Sequence, residues 1–219
     1  MPILMPEEQS YELMPPGSHV ATCFRICDVG TQPGQYGPKS PIVISWETPD
    51  ELMADGRPFS ISRRYTLSSG RKATLRDHVE SWLGRVLTSA DFGKFDLAQL
   101  LGTTCTIGIK HETKDDGRRI VANLTSVMKR PKGTPERLPC VNEAIVFSLA
   151  DRPFREHDYE QLPRWLHDLV ARSPEFEAAT KPAAPISPAT RQRMKAILAD
   201  SPAPKPEPVA EPLDDSIPF

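Results

Sequence analysis

Alternating apolar and polar residues predict three strands in the first third of the chain. The runs lie at residues 17–28, 41–48 and 58–67, and each has the period of two that places successive side chains on opposite faces of a strand. Segments rich in glycine, proline and aspartate separate the runs and are typical of turns. The sequence therefore predicts a meander of three consecutive strands.

The hydrophobic period changes in the middle of the chain. Residues 72–86 carry apolar side chains at spacings of three and four, which predicts an amphipathic helix, and residues 95–101 predict a shorter helical turn. Alternation returns in residues 103–111 and 118–128, which a hairpin loop joins. This order favours an OB-fold, a mainly β five-stranded barrel with its helix between strands three and four. Another small α+β fold or an SH3-like barrel is the alternative.

The pattern after the hairpin predicts an extension followed by a long linker. Residues 138–176 contain a candidate sixth strand at 144–149 and an amphipathic helix at 159–172, which we expect to pack on the barrel. Residues 177–219 are rich in proline and alanine, a composition that cannot bury an apolar core and predicts disorder. Within this linker, residues 188–199 suit a transient helix or a second partner motif, with plain linker as the alternative.

The composition fits one compact domain with appendages. The chain has 219 residues and 24 prolines, and we divide it into an N-terminal arm (1–16), the barrel (17–137), the extension and the linker. Its net charge of −2 hides an uneven distribution, because the barrel is basic whereas both ends are acidic. A basic body with an acidic tail indicates a polyanion-binding domain and a separate partner-binding end.

The sequence gives little support to catalysis or a membrane location. No apolar run is long enough to span a bilayer, and the first sixteen residues lack the basic start of a secretory signal. The five histidines show no metal-binding spacing, and no glycine-rich phosphate loop of the GxxxxGKS type is present. We therefore expect no cofactor and no enzymatic activity.

The four cysteines form no CxxC pair and are expected to be reduced thiols in a cytosolic protein. Cys23 and Cys27 are four residues apart on one predicted strand, so we expect them to face the same side. Zinc held by both with Cys105 or a histidine is the less favoured alternative.

The last residues of the sequence combine acidic and apolar side chains. Asp214 and Asp215 precede Ile217, Pro218 and Phe219. Such an end favours a partner pocket with a hydrophobic slot for Phe219 and a basic rim for the carboxylates. The segment closely resembles the acidic-hydrophobic tip of bacterial single-stranded DNA-binding proteins (SSBs).

Short motifs in the body resemble a phage-encoded family of OB-fold, SSB-like proteins. The motifs are Gly-x-His-x-Ala at 17–21, Tyr-Thr-Leu at 65–67, Lys-Ala-x-Leu-Arg at 72–76, Glu-Ser-Trp-x-Gly-Arg at 80–85 and Leu-Leu-Gly at 100–102. The core blocks of the cellular SSB family are not found. The resemblance implies a protein of the bacterial cytoplasm that coats single-stranded DNA (ssDNA) during phage or prophage replication, recombination or repair. It also implies recruitment of enzymes of these processes through the tip, and it leaves a monomer and a homo-oligomer open.

Sequence-tolerant ssDNA binding needs aromatic faces for the bases and cations for the phosphates. In an OB-fold these lie on strands two and three and in the loops between strands one and two and between strands four and five. The residues of this kind at those places are Tyr36, Lys39, Trp46, Phe59, Arg63, Arg64, Tyr65, Lys110, Lys114, Arg118 and Arg119.

Several of these positions have a competing structural interpretation. Tyr36 lies in a glycine-rich loop with no core to join, which favours base binding, whereas Trp46 alternates with isoleucines and suits the core equally well. The helix-start cations Arg71, Lys72 and Arg76 are expected to lie on a solvated helix face.

The third strand poses a conflict of its own. Phe59, Arg63 and Tyr65 share one face, and an unpaired arginine is costly inside a barrel. Either that face turns outward near Arg63, or a bulge intervenes and Arg64 is the exposed arginine. Both interpretations predict an arginine and aromatic cluster beside a groove.

The leading hypothesis is a non-catalytic ssDNA-binding protein that recruits partners through its tip. The second hypothesis is an OB-fold interaction adaptor of a replication or recombination complex with little DNA affinity of its own. An enzyme such as a nuclease ranks third.

Overall fold

A computed structural model describes residues 12–34, 37–68, 70, 73–114, 117–150 and 155–180. The expectations for most of the N-terminal arm, for the loop tip at 35–36 and for residues 181–219 lie outside these described residues. Across the described part of the chain no helix is long and apolar enough to cross a membrane.

The described part of the chain is mainly β. Its strands are β1 (Gly17–Asp28), β2 (Pro41–Leu52), β3 (Pro58–Thr66), β4 (Thr104–Lys114), β5 (Arg119–Lys129) and β6 (Ile145–Phe147). The predicted strands are confirmed with shifted ends. The largest shift is in β2, which runs past residue 48 because Leu52 pairs with Pro58 beyond an irregularity in the ladder.

Short helices fill the connections. They are α1 (Thr74–Leu83), α2 (Ser89–Lys94), a 3₁₀ turn (Leu97–Leu100), α3 (Glu156–Glu160), α4 (Arg164–Ala171) and α5 (Pro174–Thr180). The helix expected at 72–86 ends earlier, because Gly84 adopts a left-handed conformation with φ of 66°. The helix expected at 159–172 is divided at Pro163, which precedes α4 and has no N–H to continue a helix.

Two helical segments were not expected from the sequence. Helix α2 has only six residues and is fixed by a capping box between Thr88 and Asp91. Helix α5 extends into the segment from Glu177 onward that was expected to be linker.

The strands form an antiparallel sheet with β1 in the centre. Hydrogen-bonded neighbours follow the order β3-β2-β1-β4-β5, and β6 pairs in parallel with β1. Thr22 pairs with both β2 and β4, and Arg25 pairs with both β2 and β6. Strands β4 and β6 therefore follow each other along the same edge of β1.

A bulge in β1 changes which face its side chains occupy. The pairing with β2 passes from Cys23 opposite Trp46 to Arg25 opposite Ser45, which leaves Phe24 as an extra residue. As a result Cys23 and Cys27 pack in two different hydrophobic clusters. The expectation that both thiols face the same side is wrong, because it assumed an uninterrupted strand.

The two clusters lie on opposite faces of the sheet. The first cluster covers the inner face and includes Leu75, Val79 and Trp82 of α1. The second covers the outer face of β1 and β2 and consists of Cys27, Val29, Val43, Ile145, Phe147, Leu149, Leu162, Leu166 and Val170. The extension thus packs against the sheet through β6 and α4.

A buried carboxylate fixes the start of the extension on the outer face of β2. Glu47 is 1% exposed and accepts hydrogen bonds from the backbone N–H of Val141 (2.6 Å) and of Asn142 (2.9 Å). The Asn142 side-chain amide donates a third bond at 2.5 Å. Because a buried carboxylate needs donors, this turn and this glutamate hold each other in place.

We expect Glu47→Ala to lower the free energy of unfolding by about 1–3 kcal/mol, because it removes the acceptor of three hydrogen bonds that hold the 141–142 turn. Urea unfolding followed by circular dichroism measures this change. Glu51→Ala, on the same strand but half-exposed, is the matched control and should cost less. Equal losses in the two variants would contradict the role given to Glu47.

Candidate nucleic-acid interface

The structure places three of the aromatic candidates in the core. Trp46, Phe59 and Tyr65 are 1%, 7% and 3% exposed and belong to the first cluster. The Trp46 ring lies edge-on to Tyr65 at 6.5 Å and 5.9 Å from Trp82 between ring centroids. These rings cannot stack on a base while the core is intact, so the candidate interface is corrected to exclude them as stacking surfaces.

Arg63 resolves the conflict on the third strand in an unexpected way. Pairing between β2 and β3 continues without a break from Pro41↔Thr66 to Glu47↔Ser60, so Arg63 stays on the inner side with Tyr65. Its guanidinium donates to the Leu124 carbonyl of β5 and lies 5.6 Å from the centroid of the Tyr65 ring. Neither an outward turn nor a bulge is needed, because the strand opposite supplies the acceptor.

His78 of α1 joins Arg63 and Tyr65 on the side of Tyr65 that faces α1. The ring is buried, its Nδ1 lies 2.8 Å from the Tyr65 hydroxyl, and it also hydrogen-bonds the Thr125 backbone. Thr125 is the extra residue where the β4–β5 register shifts, between the pairs Gly108↔Ser126 and Ile109↔Leu124. Side chains of β3 and α1 therefore meet β5 at consecutive positions of one bulge.

A surface groove opens beside the cluster, between the end of β3 and the start of α1. Its volume is about 490 Å³, and it is lined by Arg63, Arg64, Tyr65, Thr66, Ser68, Gly70, Ala73, Thr74 and Leu75. These lining residues include two arginines and no acidic side chain. In the sequence Arg71 and Lys72 precede Ala73, the N-cap of α1, but they lie outside the described residues. The groove has the charge and hydroxyl groups that suit a phosphate.

The side chains on the outer face of β3 are exposed, whereas those on the outer face of β2 are covered by the extension. Ser60, Ser62 and Arg64 are exposed along β3. Their neighbours on β2 are buried, since Val43 packs in the second cluster and Glu47 binds the 141–142 turn. Because of the extension, only the β3 side chains remain exposed on the outer face of β2 and β3.

The remaining cationic candidates lie in the β1–β2 loop and on the β4–β5 hairpin. Lys39 is exposed next to Ser40, whose carbonyl accepts a bond from Leu67 N–H just past β3. On the hairpin the exposed cations are Lys110, Lys114, Arg118 and Arg119. Lys114 pairs with Arg119 in register and also contacts Glu112 at 3.1 Å.

The hairpin cations connect to the groove through β5. Lys110 pairs with Asn123, the residue directly before the Leu124 that accepts from Arg63. The structure thus brings Arg63, Arg64 and Lys39 to one end of β3 and relates Lys110 to them across the sheet. Tyr36 and the terminal residues Asp214, Asp215, Ile217, Pro218 and Phe219 lie outside the described residues.

Arg76 differs from its expected solvated position. It is 5% exposed, donates from Nε to Glu80 at 2.9 Å and from Nη2 to the Leu87 carbonyl, and lies over the Phe92 ring. Glu80 in turn accepts from the Leu87 N–H at 3.0 Å. Arg76 therefore ties the 84–89 loop to α1.

Sequence reasoning missed His78, although a signal was present. His78 lies three residues after Leu75 and four before Trp82, which are both buried on α1. That spacing places it on the inner face of the helix, where a polar ring needs hydrogen-bond partners.

Three of the four thiols are buried, which disfavours the thiolate form that metal and redox chemistry use. Burial raises the pKa of the Cys23 and Cys105 thiols and raises that of Cys27 to about 12. Among the residues that the structure describes, no group of three or more His, Cys, Asp or Glu side chains is placed to hold a metal ion.

Comparison with known proteins gives no relative to reason from. No protein-family model matches the chain, and no curated protein sequence is significantly similar to it. The function has to be argued from the arrangement of the side chains themselves.

The environment of His78 predicts a pH dependence of stability. Burial, and after it the charge of Arg63, lowers the pKa of His78 below its ordinary value of 6.5, although Asp77 and the Thr125 bond oppose this. Below pH 6.5 the unfolded chain then binds a proton that the folded chain does not, so stability falls as the pH falls toward the folded-state pKa.

We expect His78→Gln to flatten this dependence between about pH 7.5 and pH 5, because glutamine keeps a donor and an acceptor but does not titrate in this range. One proton can change the slope by no more than about 1.4 kcal/mol per pH unit. Urea unfolding across the range measures the slope. Parallel slopes for the wild type and the variant would show that His78 is not responsible.

Proposed function

We propose that this protein binds single-stranded DNA without catalysing a reaction on it. It coats ssDNA during phage or prophage replication or recombination, and it recruits partner enzymes through the acidic and apolar tip at 214–219. The observation that carries the proposal is the groove in which Arg63 and Arg64 stand together at the end of an exposed strand, without an acidic lining residue.

The strand order supports an OB-type barrel as the framework. In the order β3-β2-β1-β4-β5 the two outermost strands are β3 and β5, and closing the sheet requires these to meet. Arg63 bridges them through the Leu124 carbonyl, and α1, which follows β3 in the chain, packs on the same inner face. We infer a barrel that is closed at this point by side chains.

The groove suits a phosphate for electrostatic reasons. A guanidinium offers several N–H donors in one plane and binds phosphate oxygens in pairs. Arg63 is fixed by Leu124 and Tyr65, so its conformation is already restricted before a ligand arrives. Arg64 stands exposed on the outer side of the same strand and can follow the backbone of the DNA.

The DNA path that fits these positions differs from a path across strands two and three. Because the extension covers the outer side of β2, the DNA strand runs along Ser60, Ser62 and Arg64 of β3. Lys39 stands at one end of this row, and the hairpin with Lys110 and Lys114 lies across the β3–β5 junction. Every one of these contacts is polar or cationic, which predicts low sequence preference and strong salt dependence.

One observation favours the adaptor as the second candidate. The aromatic side chains expected to stack on bases, Trp46, Phe59 and Tyr65, are buried. Stacking contributes about 1–3 kcal/mol per base, so binding through phosphates alone is weaker. Tyr36, outside the described residues, is the remaining aromatic candidate. Tyr36→Ala with unchanged affinity would exclude it as a base platform.

Titration of labelled oligo(dT) and of a matched duplex, at several salt concentrations, tests the proposal. We expect ssDNA to bind better than duplex, and we expect Arg64→Ala to weaken binding and to reduce the salt slope by about 0.7 for the lost phosphate contact. Arg57→Ala is the matched control, because Arg57 is also exposed but lies in the β2–β3 turn and pairs with Asp55 at 2.6 Å.

Two outcomes of this titration would count against the proposal. A lack of oligo(dT) binding at low salt, or a preference for duplex, would favour the adaptor. An equal loss of affinity in Arg57→Ala and Arg64→Ala would show that the groove is not the site.

The tip has a test that does not depend on DNA. We expect deletion of 214–219 to abolish capture of replication, recombination or repair enzymes from bacterial lysate, and Phe219→Ala to reproduce most of that loss, because an aromatic anchor dominates so small an interface. Mass spectrometry of pull-downs with the intact and truncated chains measures this. Equal capture of such enzymes by both forms would show that the tip does not recruit them.

A further inference from the structure

Arg63, Tyr65 and His78 form a connected cluster that reaches from the groove into the protein. Arg63 and Tyr65 line the groove, and the Tyr65 hydroxyl meets His78 Nδ1 at 2.8 Å behind it. The two rings lie edge-to-face with their centroids 5.7 Å apart. His78 is 6% exposed and does not line the groove, so a ligand there meets the arginine and not the histidine.

The hydrogen bonds of His78 define which nitrogen carries the proton. The Thr125 partner is a backbone carbonyl, because this bond favours the protonated ring, so the ring donates to it. In the neutral ring Nδ1 is then unprotonated and accepts from the Tyr65 hydroxyl. A second proton would have to go to Nδ1, and the hydroxyl would have to rotate and accept.

The groups that set the cost of this second proton come from three elements. Arg63 on β3 opposes it by charge and Asp77 on α1 favours it, as does the carbonyl of Thr125 on β5. Tyr65 contributes a hydroxyl that is neutral, because burial raises its pKa. Arg63 is therefore the only one of these groups that both repels the proton and faces the groove.

We propose that binding of a DNA phosphate beside Arg63 in the groove is accompanied by uptake of a proton on the His78 ring. The inference rests on the proposed function and adds a regulatory property to the same site.

The coupling follows from charge neutralisation. A phosphate beside Arg63 offsets the positive charge that opposes a proton on His78, and the burial of Tyr65 and His78 reduces the screening of this change by water. By thermodynamic reciprocity, protonation of His78 then strengthens phosphate binding by the same factor. DNA affinity should rise as the pH falls below 6.5, the ordinary pKa of His78.

The first experiment measures oligo(dT) affinity by fluorescence anisotropy between about pH 7.5 and pH 5.5 for the wild type and for His78→Gln. We expect wild-type affinity to rise by about threefold or more as the pH falls through this range, because protonation of His78 favours the bound phosphate. We expect His78→Gln to lack this gain. His157→Gln is the matched control, because His157 is an exposed histidine on α3 of the extension, and it should retain the gain.

The second experiment avoids any substitution. The chemical shift of the His78 ring proton, followed by NMR over the same pH range, gives the pKa of His78 with and without oligo(dT). We expect a higher pKa in the complex. This readout also separates a proton-linked role from a purely structural one, which would leave the pKa of His78 unchanged on binding.

The outcomes separate the inference from the function on which it rests. Binding of oligo(dT) with a pH dependence that persists in His78→Gln, or with an unchanged pKa of His78, overturns the proton linkage and leaves the proposed function standing. An absence of oligo(dT) binding to the wild type at every pH overturns the proposed function and the linkage together. A folded His78→Gln protein that binds without the gain, together with the NMR shift, supports both.

Discussion

The placement of an arginine on the inner side of β3 is the constraint on which this architecture depends. A guanidinium on an apolar face is tolerated only where it finds an acceptor, and the β5 bulge at Thr125 presents neighbouring carbonyls at the required place. Arg63 takes one carbonyl and His78 takes the next. The junction of β3, β5 and α1 is therefore held by polar side chains, one of which, Arg63, also lines the cationic groove.

The extension determines which part of the sheet surface stays exposed, and it also stabilises the sheet. It buries the outer side of β1 and β2 through the second cluster, and the Glu47 carboxylate fixes its first turn. The face that remains is one strand wide and polar. The groups that β3 exposes on this face are the hydroxyls of Ser60 and Ser62 and the guanidinium of Arg64, in place of aromatic rings.

The sequence was informative where period alone decides the structure. Alternation located β1 to β5, because successive side chains of a strand point to opposite faces, and the three-and-four spacing located α1. It failed where one residue changes the register. The bulge at Phe24 separates Cys23 from Cys27, and nothing in the local pattern marks it. The burial of Arg76 and the inward direction of Arg63 depend on carbonyls from distant segments, so single-strand reasoning could not supply them. The exposed cations on the hairpin were predictable because a polar face needs no distant partner.

The short parallel strand β6 has a consequence for aggregation, because it covers part of an exposed edge of the sheet. Strand β4 leaves the edge of β1 after Thr22, and an unpaired edge there would offer free N–H and C=O groups to the edge of another molecule. Strand β6 occupies that edge from Arg25 to Cys27. Three residues contributed by the extension thus shield the central strand from intermolecular β-pairing, and a chain that ended after β5 would display it.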